Sequence, residues 1–259
     1  MPVDFTFKLV YPDGTTFNYA NPFEIGRIDA DSLSLRIPTG DTPGSDGEYQ
    51  DSNTPAQART ISFAGEIVAN SAQQLRDYWD TFQAGHDTGT PVQFYRNSDR
   101  YINGRISEFG EATYDSNGIQ YKQWHVSLRC ANPYYYAASQ TLAPLTIGGT
   151  ATLTVGGSVR ARPQVQLNFT APGTATVTSI QTGQSFFFSA PSAGIYTIDS
   201  DSGLSGRIGV TRSGIDQTSN MYGQFIELPF TTGQVAVTMS GGGAASWGTA
   251  IWQKRYKGA

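Results

Sequence analysis

The residues able to do acid–base, nucleophilic or metal chemistry are few: two histidines, one cysteine and a scatter of carboxylates. His86 follows a helix-like segment and His125 falls on the polar side of an alternating stretch. Neither sits in a metal-ligand spacing or beside a Gly-x-Ser-x-Gly nucleophile turn. Cys130 is alone, which excludes an internal disulfide, and its alternating apolar surroundings predict a small buried hydrophobe. Asp199-Ser-Asp-Ser-Gly203 starts like a calcium loop but lacks the third acid, the central glycine and the closing glutamate, so it reads as a hairpin turn. Phosphate-loop and dinucleotide fingerprints are absent. The expectation is a protein that is not an enzyme and holds no metal or cofactor.

Residues suited to binding are easier to find. Thr39 to Gln57 carries Asp41, Asp46, Glu48, Tyr49 and Asp51, with Pro43, Gly44 and Gly47 and no large aliphatic residue. Such a stretch cannot bury apolar surface by itself, and loops of this length in compact domains are functional or disordered. It reads either as a solvated hairpin tip or as an arm ordered by a neighbouring subunit. Tyr196, Tyr222 and Trp247 lie in strand-like segments of the second half. They are candidates for stacking on a sugar, although strands use the same residues in their cores. The terminal Lys254-Arg255-Tyr-Lys257 reads as a solvated basic tail, with contact to an acidic partner as the alternative.

The elements that must position these residues are mainly strands. The chain has 259 residues, room for two domains, with 29 Gly, 13 Pro, 14 Phe and 14 Tyr, a composition suited to short strands and tight turns. Only 15% of residues are charged and the formal net charge is −4, neither disordered nor broadly basic in character. No apolar run reaches membrane-spanning length and no signal-peptide pattern opens the chain, so synthesis in a cytoplasm and no membrane association are expected. From Trp124 to Cys130, Trp124, Val126, Leu128 and Cys130 alternate with His125, Ser127 and Arg129, the two-residue period of a half-buried strand. Asn132-Pro133 stops it, and beyond Tyr136 the composition turns to Thr, Gly, Ser, Ala and Val.

We therefore expect two domains, 1–140 and 141–259. In the first, strands are expected at Phe5–Val10, Thr16–Tyr19, Ser32–Ile37, Arg59–Val68, Val92–Arg96, Tyr101–Ile106 and Tyr121–Cys130. One helix is expected from Ala72 to Ala84, capped by Ser71 with Gln74 and stopped at Gly85. Leu75, Tyr78, Trp79 and Phe82 line its core-facing side. In the second domain, Arg162–Phe169, Thr174–Ile180, Ser185–Phe188, Gly194–Ile198, Gly206–Val210, Gly223–Leu228, Val235–Met239 and Trp247–Tyr256 recur at the spacing of an antiparallel sandwich. The last of these could complete the second domain or return to the first.

One order of motifs is familiar. A first domain closes on Asn132-Pro-Tyr134, and the second opens with Gly157-Ser-Val-Arg-Ala-Arg-Pro163. Ile198-Asp199 follows, and then Phe225-Ile-Glu-Leu-Pro229 leads through Gly233 into Val235 and Val237. This order resembles the distal tail (Dit) proteins of long, non-contractile phage tails and their relatives in gene transfer agents. The chain departs from the family's Leu-x-Pro-Gly-x-Asn ending at Leu228-Pro-Phe-Thr-Thr-Gly233-Gln234. The resemblance implies a mainly β fold: an N-terminal β-sandwich with one helix and an extended belt hairpin, then a C-terminal galectin-like β-sandwich. It also implies a structural virion protein at the tail tip, a homo-hexameric ring joining the tail tube protein to the baseplate hub around the tape measure protein. A receptor-binding protein or a host glycan would be a further partner. The alternative function is a carbohydrate-binding module for host-surface attachment.

Overall fold

The structure, a computed structural model, describes residues 7–29, 39–41, 48–50, 57–112, 121–201, 209–243 and 246–257. The expected strand Ser32–Ile37 lies outside them. The chain divides into two compact units, one running to Tyr135 and taking in Lys257, the other spanning Tyr136–Tyr256.

The first unit contains β1 (Lys8–Val10), β2 (Thr16–Asn18), β3 (Ile25–Asp29), β4 (Thr39–Asp41), β5 (Glu48–Gln50), β6 (Arg59–Val68), helix α1 (Ala72–Ala84), β7 (Pro91–Tyr95), β8 (Arg100–Ala112) and β9 (Tyr121–Cys130). Seven of these strands form one antiparallel sheet in the order β2-β1-β7-β8-β9-β6-β3, while among the described residues β4 pairs with β5 alone. Alternation sets which side is buried. On β9, Trp124, Val126, Leu128 and Cys130 are fully buried. Opposite them on β6, Ile61 faces Leu128 and Phe63 faces Val126. A register shift between Ile106 and Glu108 on β8 marks a bulge, which bends a strand locally.

Helix α1 begins where Ser71 accepts a hydrogen bond from the Gln74 amide at 3.2 Å, while the Gln74 side chain reaches back to the Asn70 amide at 2.7 Å. The first bond satisfies one orphan amide of the first turn, and the second holds the residue just before the cap. Only Phe82 is fully buried; Leu75, Tyr78 and Trp79 remain half-exposed. The expected core stripe therefore reaches the interior only at its C-terminal end. There Phe82 packs among Phe17, Phe23, Trp79 and Trp124 with ring centroids 5.0–6.0 Å apart. Gly85 ends the helix with φ −83°, so it is not a left-handed cap. Its role is space: a Cβ there would stand 2.3 Å from the Phe17 ring.

The second unit contains β10 (Tyr135–Leu145, whose first residue belongs to the other unit), β11 (Gly149–Thr154), β12 (Gln164–Phe169), β13 (Gly173–Ser179), β14 (Ser185–Ala190), β15 (Gly194–Asp199), β16 (Gly209–Arg212), β17 (Ile215–Asp216), β18 (Met221–Gly223), β19 (Thr232–Gly241) and β20 (Trp247–Tyr256). One sheet runs β17-β16-β15-β12-β20-β10 and a five-stranded sheet runs β11-β19-β13-β14-β18. Their inner faces bury one apolar core, including Val165, Leu167, Phe169, Val177, Phe186, Phe188 and Trp252. β20 thus lies inside the first of these sheets, beside β12. The strand expected over Gly223–Leu228 is mostly absent. β18 ends at Gly223, and the chain then runs irregularly to a single bridge at Leu228, just before Pro229.

Candidate functional site

Three motifs far apart in sequence converge in the second unit. Ala161 and Leu228 exchange both backbone hydrogen bonds, at 2.9 and 2.8 Å. Beside them, Arg162 Nε donates to Glu227 Oε1 at 2.9 Å, and Arg160 lies 3.6 Å from the other carboxylate oxygen. The segment Gly157–Pro163 is thereby sewn to Phe225–Pro229. Ser158 and Val159 amides both donate to the Arg255 carbonyl, so β20 joins the same corner. The corner contains a buried polar cluster. Asp199 accepts from the Asp201 amide at 2.9 Å and from Gln164 at 3.1 Å. Asp201 accepts from the Tyr136 hydroxyl at 3.1 Å, and Gln253 donates to the Ala137 carbonyl at 2.9 Å. Arg255, expected in a solvated tail, is buried here. Asp199–Asp201 is thus tied down by hydrogen bonds, the rest of the expected turn at Ser202 and Gly203 lies outside the described residues, and no cluster of three metal-ligating side chains occurs among the described residues.

The aromatic candidates separate. Tyr196 is fully buried, with Phe188 and Phe169 rings 4.8 and 5.7 Å away, and its hydroxyl donates to the Ser192 carbonyl. It is a core residue and offers no ring to a sugar, which corrects its candidacy. Tyr222 is 65% exposed on the outer side of the five-stranded sheet, and Trp247 is 41% exposed on the outer side of the other. Outer faces of two packed sheets look in opposite directions, so these two rings form no common platform. Beside Tyr222 stands Phe187, 39% exposed, at 6.4 Å between ring centroids. Phe187 is not among the aromatic candidates named from the sequence. Its signal is Phe186-Phe-Phe188 inside one strand, where alternation sets the middle ring against its two neighbours, both of which are buried.

Of the acidic arm, β4 and β5 pair Thr39 with Gln50, Gly40 with Tyr49 and Asp41 with Glu48. Asp46 and Asp51 lie outside the described residues. In the first unit, an open pocket of about 520 Å³ lies between the β1–β2 turn and the end of α1, lined by Tyr11, Asp13, Phe17, Gly85 and Asp87 among others. The Tyr11 hydroxyl donates to the Gly85 carbonyl. Burial, then the charges of Asp13 and Asp87, push that phenol up to about 12, so it stays protonated.

The two histidines take different positions. His86 Nδ1 lies 2.6 Å from the Phe82 carbonyl and Nε2 lies 2.6 Å from the Tyr19 hydroxyl. A carbonyl only accepts, so Nδ1 carries the proton and Nε2 accepts from Tyr19. Burial lowers the pKa of His86 to about 4, leaving it neutral inside an aromatic cage. His125 stands at the surface, 3.4 Å from Glu108. Cys130 is buried, and desolvation raises its thiol to about 12, which suits packing and not nucleophilic attack.

No protein-family model and no curated protein matches the sequence. Solved structures do. The Dit protein of phage SPP1, described as a paradigm of the hub adsorption apparatus in phages infecting Gram-positive bacteria, superposes with a TM-score of 0.68. It is 14% identical, and the match covers 96% of this chain and 98% of that one. A chain of the phage P2 baseplate in its calcium-activated conformation matches with a TM-score of 0.50 at 9% identity, covering 95% and 97%. At such identity the likeness defines the fold: this chain has the Dit fold over nearly its whole length.

Proposed function

We propose that this chain is a structural protein of a phage-type tail, a distal tail protein whose copies close into a six-membered ring between tail tube and baseplate hub. The observation that carries the reading is the end-to-end fold match to the SPP1 Dit protein, which includes both units and not one common sandwich. In this reading the second unit is the galectin-like sandwich of that family. The partners are further copies of the chain, the tail tube protein, the hub and the tape measure protein in the lumen. The site of action is the virion, after synthesis in a bacterial host.

The first unit supplies the ring contacts, and residues 39–57 cross to a neighbouring copy. The β4–β5 ladder supports this assignment. Among the described residues it pairs with no other strand, and an isolated two-stranded ribbon is marginal in water without something to pack on. Copies related head to tail close into a ring when the rotation permits.

Light scattering on the purified chain, followed by negative-stain imaging, tests the reading. Particles of six chain masses with a central channel are expected, and replacing residues 39–57 by a short Gly-Ser turn leaves folded monomers. A strict monomer at every accessible concentration overturns self-closure of the ring. Intact rings from the shortened chain overturn the role of the arm.

A further inference from the structure

No Asp, Glu, Lys, Arg or His occurs in any of the five strands β11, β19, β13, β14 and β18, in a chain with 15% charged residues. The inward positions of these strands form the core, so strand alternation assigns the rest to the outer face. One row across that face is Thr238, Thr176, Phe187 and Tyr222, each opposite the next on neighbouring strands. The next row is Thr150, Ala236, Thr178 and Ser185. The face is rich in hydroxyls, interrupted at Ala236, and ends in two adjacent exposed rings, the pair Phe187 and Tyr222.

We propose that this face binds a neutral polysaccharide. Tyr222 and Phe187 receive the C–H faces of sugar rings, and the threonine rows hydrogen-bond the sugar hydroxyls. Three features select that class of ligand. Two exposed rings tilted 40° to one another each offer an apolar, flat face of low conformational cost, matching the apolar face of a pyranose. A threonine hydroxyl is both donor and acceptor, as every sugar hydroxyl is. Strands lie about 4.8 Å apart, so the neighbouring hydroxyl pairs Thr238–Thr176 and Thr178–Ser185 are spaced at roughly the length of one sugar unit. The missing charge excludes the other polymers. Nucleic acid, polyuronate or a phosphate-bearing wall polymer would need Lys or Arg to offset its desolvation, and none occurs in these five strands. The inference stands apart from ring formation.

The test is affinity electrophoresis of the intact chain through gels containing pullulan, laminarin, galactomannan or dextran, with alginate as the anionic control. Retardation by at least one neutral polymer and none by alginate is expected. Tyr222→Ala and Phe187→Ser each weaken that retardation about tenfold. Trp247→Ala, on the other sheet, leaves it unchanged. Both Tyr222 and Phe187 are surface residues, and circular dichroism confirms that the variants fold. Four results overturn the proposal: no retardation by any of the neutral polymers, retardation by alginate alone, retardation that survives Tyr222→Ala, or equal loss in Trp247→Ala. Loss of binding to a purified baseplate protein in Tyr222→Ala, with no glycan bound by the parent chain, would make the face a protein-docking surface instead.

Discussion

Nε of Arg255 lies 3.9 Å from Oδ2 of Asp201, and each side chain is 4% exposed. The Tyr136 hydroxyl holds the other oxygen of Asp201, and Arg255 Nη1 donates to the Arg160 carbonyl at 3.0 Å. A charge pair this far from water is maintained only if hydrogen bonds offset the desolvation of both ions. The pair ties the start of β10, the turn after β15 and the end of β20 to one point. Its worth lies in fixing that arrangement more than in net stability.

Removing one partner leaves the other charge buried. Asp201→Ala is therefore expected to destabilise the second unit by about 3–5 kcal/mol, read from urea unfolding. Adding Arg255→Met to Asp201→Ala should recover part of that loss. If the two single losses simply add, the residues do not act as a pair.

His86 gives the first unit a pH dependence. Its folded pKa is about 4, below the ordinary value near 6.5. Between those limits the unfolded chain binds a proton that the folded chain refuses, so stability falls as pH drops through the window. The contribution is at most about 3 kcal/mol. Urea midpoints of the first unit at pH 7 and 4.5 measure it. His86→Gln should flatten the slope; an unchanged slope would assign it to carboxylates.

Gly157 combines a φ of +91° with a crowded site, where a Cβ would stand 2.5 Å from the Arg255 carbonyl oxygen. Gly148 has φ +76° with open space around it. Gly148→Ala is expected to cost about 1 kcal/mol for the left-handed backbone alone. Gly157→Ala should cost clearly more, because it must also push β20 away from Ser158 and Val159. Equal thermal shifts for the two variants would refute the close approach.

Phe82→Ala should cost the first unit about 3–5 kcal/mol, since it empties the centre of the aromatic cluster. The second unit has its own core and should keep its unfolding transition. Differential scanning calorimetry separates the two; a shift of both transitions by the same amount would show that they unfold together.

How much of this was legible depended on how local the cause was. Helix α1 could be read to the residue because Ser71, Gln74 and Gly85 act within one turn of its ends. How deeply its stripe sinks could not be read, since period gives a direction and only the sheet beneath decides depth. Tyr196 was misassigned because its strand is apolar on both sides: Ile195 is exposed and Tyr196 buried, so alternation alone leaves the parity open. The corner that joins Gly157–Pro163 to Phe225–Pro229 was visible only as an order of motifs. The hydrogen bonds that explain their company, Ala161 with Leu228 and Arg162 with Glu227, span more than sixty residues and leave no local trace.

The placement of β20 governs how the second unit can be made. β12 needs β20 on one side and β15 on the other, yet β20 is the last of the unit's strands to be synthesised. Until Trp247–Tyr256 has cleared the ribosome, β12 keeps an open ladder edge and the core lacks Trp252, which fills it from β20. Pairings of such large sequence separation close slowly, and open edges invite pairing between chains. Nascent chains halted before Trp247 should therefore be protease-sensitive and self-adhesive beyond β10, and the sandwich should lock in a single late step once the strand arrives.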